Sequence, residues 1–282
     1  MKNWRIVLTV ICVSSFVIGG LLLAYGYTCD LTAESYNLEY TFALSDIEKI
    51  DIGGFADAQV NVIPVPGDEI RVDVSGVLRG NQKPFIAEQR GSQLVVSQGV
   101  RLFNLNLRFW DTKTVINVCV DPDYGKDLHV NAVARDINIG GLSLNKLSVN
   151  SVSGGIFLRG VNCSVANIDT VSGNVSARGL NSARTVTNTV SGGVELRGFN
   201  GEFKGSSVSG SIDVEYEAFD NNVNIDTVSG RIVLTLSGAA DFALNTDTVS
   251  GRLVNEFVRP LLGSGRNKIN LDTVSGNMTI KK

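Results

Sequence analysis

Three arginines, Arg159, Arg178 and Arg197, follow one another at intervals of 19 residues, each five residues after a glycine. If the chain stacks once per interval, their guanidinium groups line up ~4.8 Å apart on one face. Such a row suits a polymer bearing phosphate or carboxylate, such as teichoic acid or an acidic glycan. The plainer reading is a solvated row balanced by Glu195 and Glu215. Acids recur in the same way: Asp169, Asp226, Asp247 and Asp272, with Asn150 and Asn188 at equivalent positions, each precede [ST]-Val-Ser-Gly. Asx side chains capping a turn explain the recurrence. A calcium ladder is the sharper alternative, since calcium takes oxygen ligands, but the nonapeptide pattern of calcium-binding β-helices is absent.

Catalytic residue types are scarce. His129 is the single histidine. A β-helical polysaccharide lyase or hydrolase needs clustered carboxylates, often with Arg, Lys or calcium, and the acids here form a column instead. The four cysteines, Cys12, Cys29, Cys119 and Cys163, include no CxxC spacing, so neither a zinc site nor a disulfide framework is indicated. Small buried thiols are the simpler account of Cys119 and Cys163, with a bridge between them left open. No catalytic, cofactor or metal residue is expected. Net charge is −3 and no basic cluster tracks a phosphate backbone, so nucleic acid is excluded as a partner.

The elements that carry these side chains are set by a repeat. The tetrapeptide [ST]-Val-Ser-Gly occurs seven times, ending at Gly154, Gly173, Gly192, Gly210, Gly230, Gly251 and Gly276, with spacings of 19, 19, 18, 20, 21 and 25 residues. A degenerate copy, Val133-Ala134-Arg135-Asp136-Ile137, precedes them by one more 19-residue step. Val stands two residues before the Gly position. Two and four residues after it come mostly Ile, Val or Leu, such as Ile156 and Leu158, with polar residues between. This alternation predicts strands with those positions facing inward. Coils of about 20 residues are too short and Gly-rich for helical repeats, and propeller blades need about 40. The prediction is an all-β fold: one β-solenoid of about eight coils, each burying its apolar side against a neighbour. Ile168 and Val175 both look inward yet lie seven apart, so the chain turns a corner between them, at Asp169-Thr170 or at Ser172-Gly173, with glycine taking up unusual dihedrals. The Ser column therefore faces either way. Lys281 and Lys282 fit a charged blunt end on the last coil.

Residues 6–28 carry no charge, with Lys2 and Arg5 before them and Asp30 and Glu34 after. An apolar run of that length spans a bilayer as a helix, and the flanking charges orient it N-in, C-out. Its length favours a retained signal-anchor over a cleaved signal peptide, whose apolar region is ~7–15 residues. The expected organisation is a cytoplasmic tail at 1–5, the anchor at 6–28, an N-terminal β cap region at 31–130 and the VSG-repeat solenoid at 131–282. Within the cap, segments 47–52, 59–63, 69–75, 93–97 and 113–120 read as strands. Phe103, Leu105, Leu107 and Phe109 alternate with polar residues and lead to Trp110. They form either an ordinary amphipathic strand or an exposed aromatic hairpin for a partner or membrane surface.

Three features together resemble the bacterial putative-adhesin family of β-strand-repeat surface proteins, a domain of unknown function: the strand pair at 47–63, the Asp121-Pro122 step, and the Thr-Val-Ser-Gly-x-[Ile/Val] coils. The resemblance spans roughly residues 36–282 and implies a cell-surface or envelope-associated protein without catalytic residues. Some members of the family are tied to envelope-stress signalling. The expected function is thus a non-catalytic, single-pass, membrane-anchored module of the envelope that binds a wall polymer, a glycan or another membrane protein. The alternatives are an envelope-stress sensor acting through a membrane partner, and a polymerising scaffold.

Overall fold

The structure, a computed structural model, describes residues 33–53, 58–79, 83–98, 113–237, 241–257 and 261–282. The anchor segment at 6–28 and the aromatic run Phe103–Trp110 lie outside the described residues. No helix among the described residues is long and apolar enough to cross a membrane.

The chain winds into rungs. Each rung places one strand on each of two faces, and in seven of them Val-Ser-Gly forms the corner between the two. On the first face the strands stack in parallel in the order 93–96, 49–52, 127–130, 146–151, 165–170, 184–189, 203–207, 223–227, 269–273 and 244–248. On the second the order is 114–120, 58–64, 137–139, 156–159, 175–178, 194–197, 212–215, 232–235, 278–281 and 253–255. Eight of these rungs carry the repeat, and two more come from the region before it. Antiparallel strands close the N-terminal end: Ala33–Ala43 on Glu69–Arg79, which lies on Thr114–Val120, and Phe85–Arg90 on Gln93–Gln98. Ala33–Ala43 and Phe85–Arg90 are strands that the sequence reading did not mark.

Stacking does not follow chain order at either end. The last rung, Asn267–Thr273 with Met278–Lys281, is inserted between the rung of Val223–Thr227 and that of Phe242–Thr248. At the other end, Lys49–Ile52 pairs on one side with Gln93–Gln98 and on the other with Asp127–Ala132. This corrects the expectation of a blunt end at Lys281-Lys282. The strand Met278–Lys281 is paired on both sides, and the outermost repeat rung is 242–255, where Leu253 and Val254 are each 40% exposed.

Each residue of the tetrapeptide has a separate task. The Ser or Thr takes the last inward position of its strand: Ser151, Thr170, Thr189, Ser207, Thr227 and Thr273 are buried. At all of these but Ser207 its hydroxyl bonds the glycine of the corner. Thr189 Oγ1 accepts from Gly192 N at 3.0 Å, and Thr170 and Thr273 do the same for Gly173 and Gly276. The Ser faces out, and its N–H and hydroxyl both bond the Val carbonyl of the adjacent rung; Ser229 N and Oγ lie 2.9 and 3.3 Å from Val208 O. The Val expected inside sits on the outside of the corner. It is half-buried at Val152, Val171, Val190, Val208 and Val228, and 83% and 48% exposed at Val249 and Val274. The hydroxyl residue before it already fills the inward position, which ends the alternation one residue early.

The glycine is required by close approach rather than by unusual dihedrals, since none of the seven has positive φ. A Cβ on Gly192 would lie 1.9 Å from the Gly173 carbonyl oxygen. The same contact recurs up the column from Gly154 through Gly210, Gly230 and Gly276 to Gly251.

Inside, Ile156, Val175, Val194, Ile212, Ile232 and Met278 stack as one fully buried row, and Leu158, Ala177, Leu196, Val214, Leu234 and Ile280 as the next. Each large aliphatic is worth about 1.5–3 kcal/mol of burial. Towards the C-terminal end the core turns aromatic. Phe203, Phe199, Tyr216, Phe219, Phe242 and Phe257 contact edge to face in succession, with ring centroids 5.1–6.2 Å apart.

Candidate binding surface

A second motif lies between the VSG corners. Arg159-Gly160-Val161-Asn162, Arg178-Gly179-Leu180-Asn181 and Arg197-Gly198-Phe199-Asn200 repeat R-G-x-N once per rung. The sequence reading took only the arginines from it, although the 19-residue phase was in view. The glycines have φ of 59°, 65° and 60°, a left-handed conformation that L side chains resist. This sharp bend puts the Arg on one side of the ridge and the Asn on the other, while Val161, Leu180 and Phe199 anchor it inside, each at most 1% exposed.

The structure brings all three arginines into register, Arg159 on Arg178 on Arg197, but their surroundings differ. Arg197 is saturated. Its Nε is 2.9 Å from Glu195, and its Nη1 is 3.0 Å from both Asp213 and Glu215. Arg159 and Arg178 are exposed and form no ion pair among the described residues. Arg159 and Arg178 therefore stand one strand spacing apart with their guanidinium groups open to an outside anion.

Across the ridge the three asparagines form an amide ladder. Asn181 Nδ2 donates to Asn162 Oδ1 at 3.0 Å, and Asn200 Nδ2 to Asn181 Oδ1 at 2.8 Å. The ladder borders an open groove of about 600 Å³. In the groove wall Leu144, Cys163 and Ser182 stand in register, and Gly201 stacks so closely that a Cβ there would lie 1.7 Å from the Ser182 carbonyl oxygen. Burial pushes the Cys163 thiol up to about 11, which keeps it protonated at neutral pH and a poor nucleophile. Cys119 and Cys163 are both free, so the bridge left open by the sequence is not formed.

The remaining candidates resolve differently. The Asx column faces outward as a ladder instead of capping corners: Asn188 Nδ2 donates to Asp169 Oδ1 at 2.7 Å, and Asn150 to Asn131 at 2.7 Å. Chain insertion places Asp272 between Asp226 and Asp247. Partial burial and then these two neighbours raise its carboxyl from the ordinary value. Among the described residues no group of three or more His, Cys, Asp or Glu is placed to hold a metal. His129 Nδ1 lies 3.4 Å from Asp51, and its Nε2 meets the Asn150 amide at 3.2 Å. That carboxylate also accepts from Lys49 and Gln93. The ring is thus held between structural partners, with no hydroxyl or thiol bonded to it among the described residues.

The profile of the family described as Toastrack DUF4097 matches residues 47–281, the whole of the rung array. The chain belongs to the Toastrack DUF4097 family. The Toastrack fold is also seen in crystal structures. A putative adhesin from Parabacteroides distasonis is 15% identical, with a TM-score of 0.51 over 87% of this chain and 97% of that one. A putative adhesin from Parabacteroides merdae is 12% identical, with a TM-score of 0.50 over 87% and 96%. At these identities the likeness speaks to the fold alone. No curated protein matches the chain.

Proposed function

We propose that this Toastrack chain is a non-catalytic binding module of the bacterial cell envelope that holds an anionic polymer along its arginine ridge. In this reading residues 1–5 are cytoplasmic and 6–28 anchor the chain in the membrane. The cap region at 31–130 and the solenoid at 131–282 lie outside, where wall polymers are found. The observation that carries the reading is the exposed Arg159–Arg178 pair, without an ion-pair partner among the described residues, beside an Arg197 that is engaged by acids. Guanidinium pairs with carboxylate and phosphate in a planar, bidentate manner, and a polymer laid along the rod meets both. Membership of a family whose structural relatives are named adhesins supports a role in binding, and the charge-free run after Lys2 and Arg5 supports the anchor.

The test is binding of the chain to two polyanions, polyphosphate and polygalacturonate, at low and physiological salt. Arg159→Ala with Arg178→Ala should weaken binding to both by at least about tenfold, and added salt should weaken the unmutated chain. Arg197→Ala, which releases three acids, should also weaken binding. Equal affinity for the double variant and the parent would refute the ridge as the contact. Protease added to intact cells should remove the solenoid; a protected solenoid would refute the topology.

A further inference from the structure

We infer that the groove beside the asparagine ladder is a hydroxyl-reading subsite, and that the polymer held on the arginine ridge is a carboxylate-bearing glycan. This rests on the ridge being the contact, as proposed above, and adds the class of ligand.

The argument begins with an account of the amides. An Asn side chain offers two N–H donors and a carbonyl with two lone pairs. The ladder spends one donor of Asn181 and of Asn200, and one lone pair of Asn162 and of Asn181. Asn200 is used further: its carbonyl accepts from Ala218 N, and its amide also contacts Glu217. Among the described residues, donor and acceptor capacity stays unspent at Asn162 and Asn181, which line the groove. A sugar hydroxyl, which both donates and accepts, is the complement of such a pair. A bare phosphate or carboxylate, which only accepts, uses half of it.

The rungs that present unspent amides at Asn162 and Asn181 are the rungs that present exposed guanidiniums at Arg159 and Arg178. One rung therefore offers, across a single glycine bend, a cation on one side and a hydroxyl partner on the other, and the next rung repeats the offer ~4.8 Å further along. A polymer alternating only charge and flexible linker has nothing for the second half of each site. A polymer whose every ring carries hydroxyls and a carboxylate has both. The groove is open, with Leu144, Cys163 and Ser182 in register along its wall. Ser164 and Ala183, both exposed, stand at its mouth.

Ala183→Trp fills the groove from an exposed position, and Asn162→Ala removes the free end of the ladder without touching the core. Each is compared with the parent on polygalacturonate, on polyphosphate and on neutral dextran, with thermal unfolding measured alongside. The parent should bind polygalacturonate more tightly than polyphosphate, and dextran weakly. Both variants should lose about tenfold on polygalacturonate and leave polyphosphate unchanged. Unchanged polygalacturonate binding in both variants, with loss only on replacing Arg159 and Arg178, would overturn the groove and leave the ridge standing. Equal losses on polyphosphate would overturn the hydroxyl reading in the same way. A parent that binds neither polyanion would overturn ridge and groove together.

Discussion

At the scale of single residues, the tetrapeptide separates positions that look equally prominent in the sequence. Gly192 faces the carbonyl of Gly173 so closely that a methyl group cannot enter without parting two rungs. Gly192→Ala should therefore cost about 3 kcal/mol or more, read as a fall in the urea midpoint. The neighbouring Ser191 is exposed, and its hydroxyl bonds Val171 O at 3.3 Å while its N–H holds the same carbonyl at 2.9 Å. Ser191→Ala should shift stability by no more than about 0.5 kcal/mol. Among the described residues three buried side-chain oxygens lack a partner, those of Tyr124, Thr187 and Ser207, and Thr187 is fully buried. Thr187→Val keeps the shape and removes that penalty, so stability should rise by about 1 kcal/mol. A fall would mean that a water or neighbouring hydroxyl serves it.

At the scale of elements, the strands that alternate cleanly were legible: segments expected at 59–63, 93–97 and 113–120 are Ala58–Pro64, Gln93–Gln98 and Thr114–Val120. Corners were harder to read, because a corner breaks the period on which the reading relies. Thr170 and Val171 are both plausible inward residues, and only the hydroxyl bond to Gly173 N decides for Thr170. The Asn ladder was missed for a similar reason: Asn162, Asn181 and Asn200 look like turn residues until stacking brings them side by side. The acidic ladder adds a consequence in pH. Asp272 has its carboxyl raised by partial burial and by Asp226 and Asp247, so its ionisation costs more in the fold than in the unfolded chain. On rising pH the unfolded chain ionises first, and this contribution to stability is lost from the ordinary carboxylate value up through the raised one. Asp272→Asn should raise the melting temperature at neutral pH, flatten its decline as pH rises through the carboxylate range, and matter less in high salt because the group is largely exposed. An unchanged melting curve would show that the three carboxylates do not interact.

At the scale of the whole molecule, both ends of the rod fold back so that a chain-terminal rung is covered by a rung from further inside the sequence. Nothing in a one-dimensional repeat distinguishes this from stacking in chain order, since every copy offers the same edge. Pairing decides it, with Asn224 opposite Asn270, and Asn270 opposite Asn245. Cysteines placed at 224 and 270 should crosslink under mild oxidation and those at 224 and 245 should not, as read by peptide mapping; the reverse result would restore chain-order stacking. The long faces of the rod remain open, and the arginine ridge runs along one of their borders. Hydrogen exchange of the full chain with and without polygalacturonate tests the ridge without any substitution. Protection gathered in 159–164 and 178–183, with the VSG corners unchanged, is the predicted result. Protection at the corners or at the rod ends, or none anywhere, would contradict the assignment of this surface.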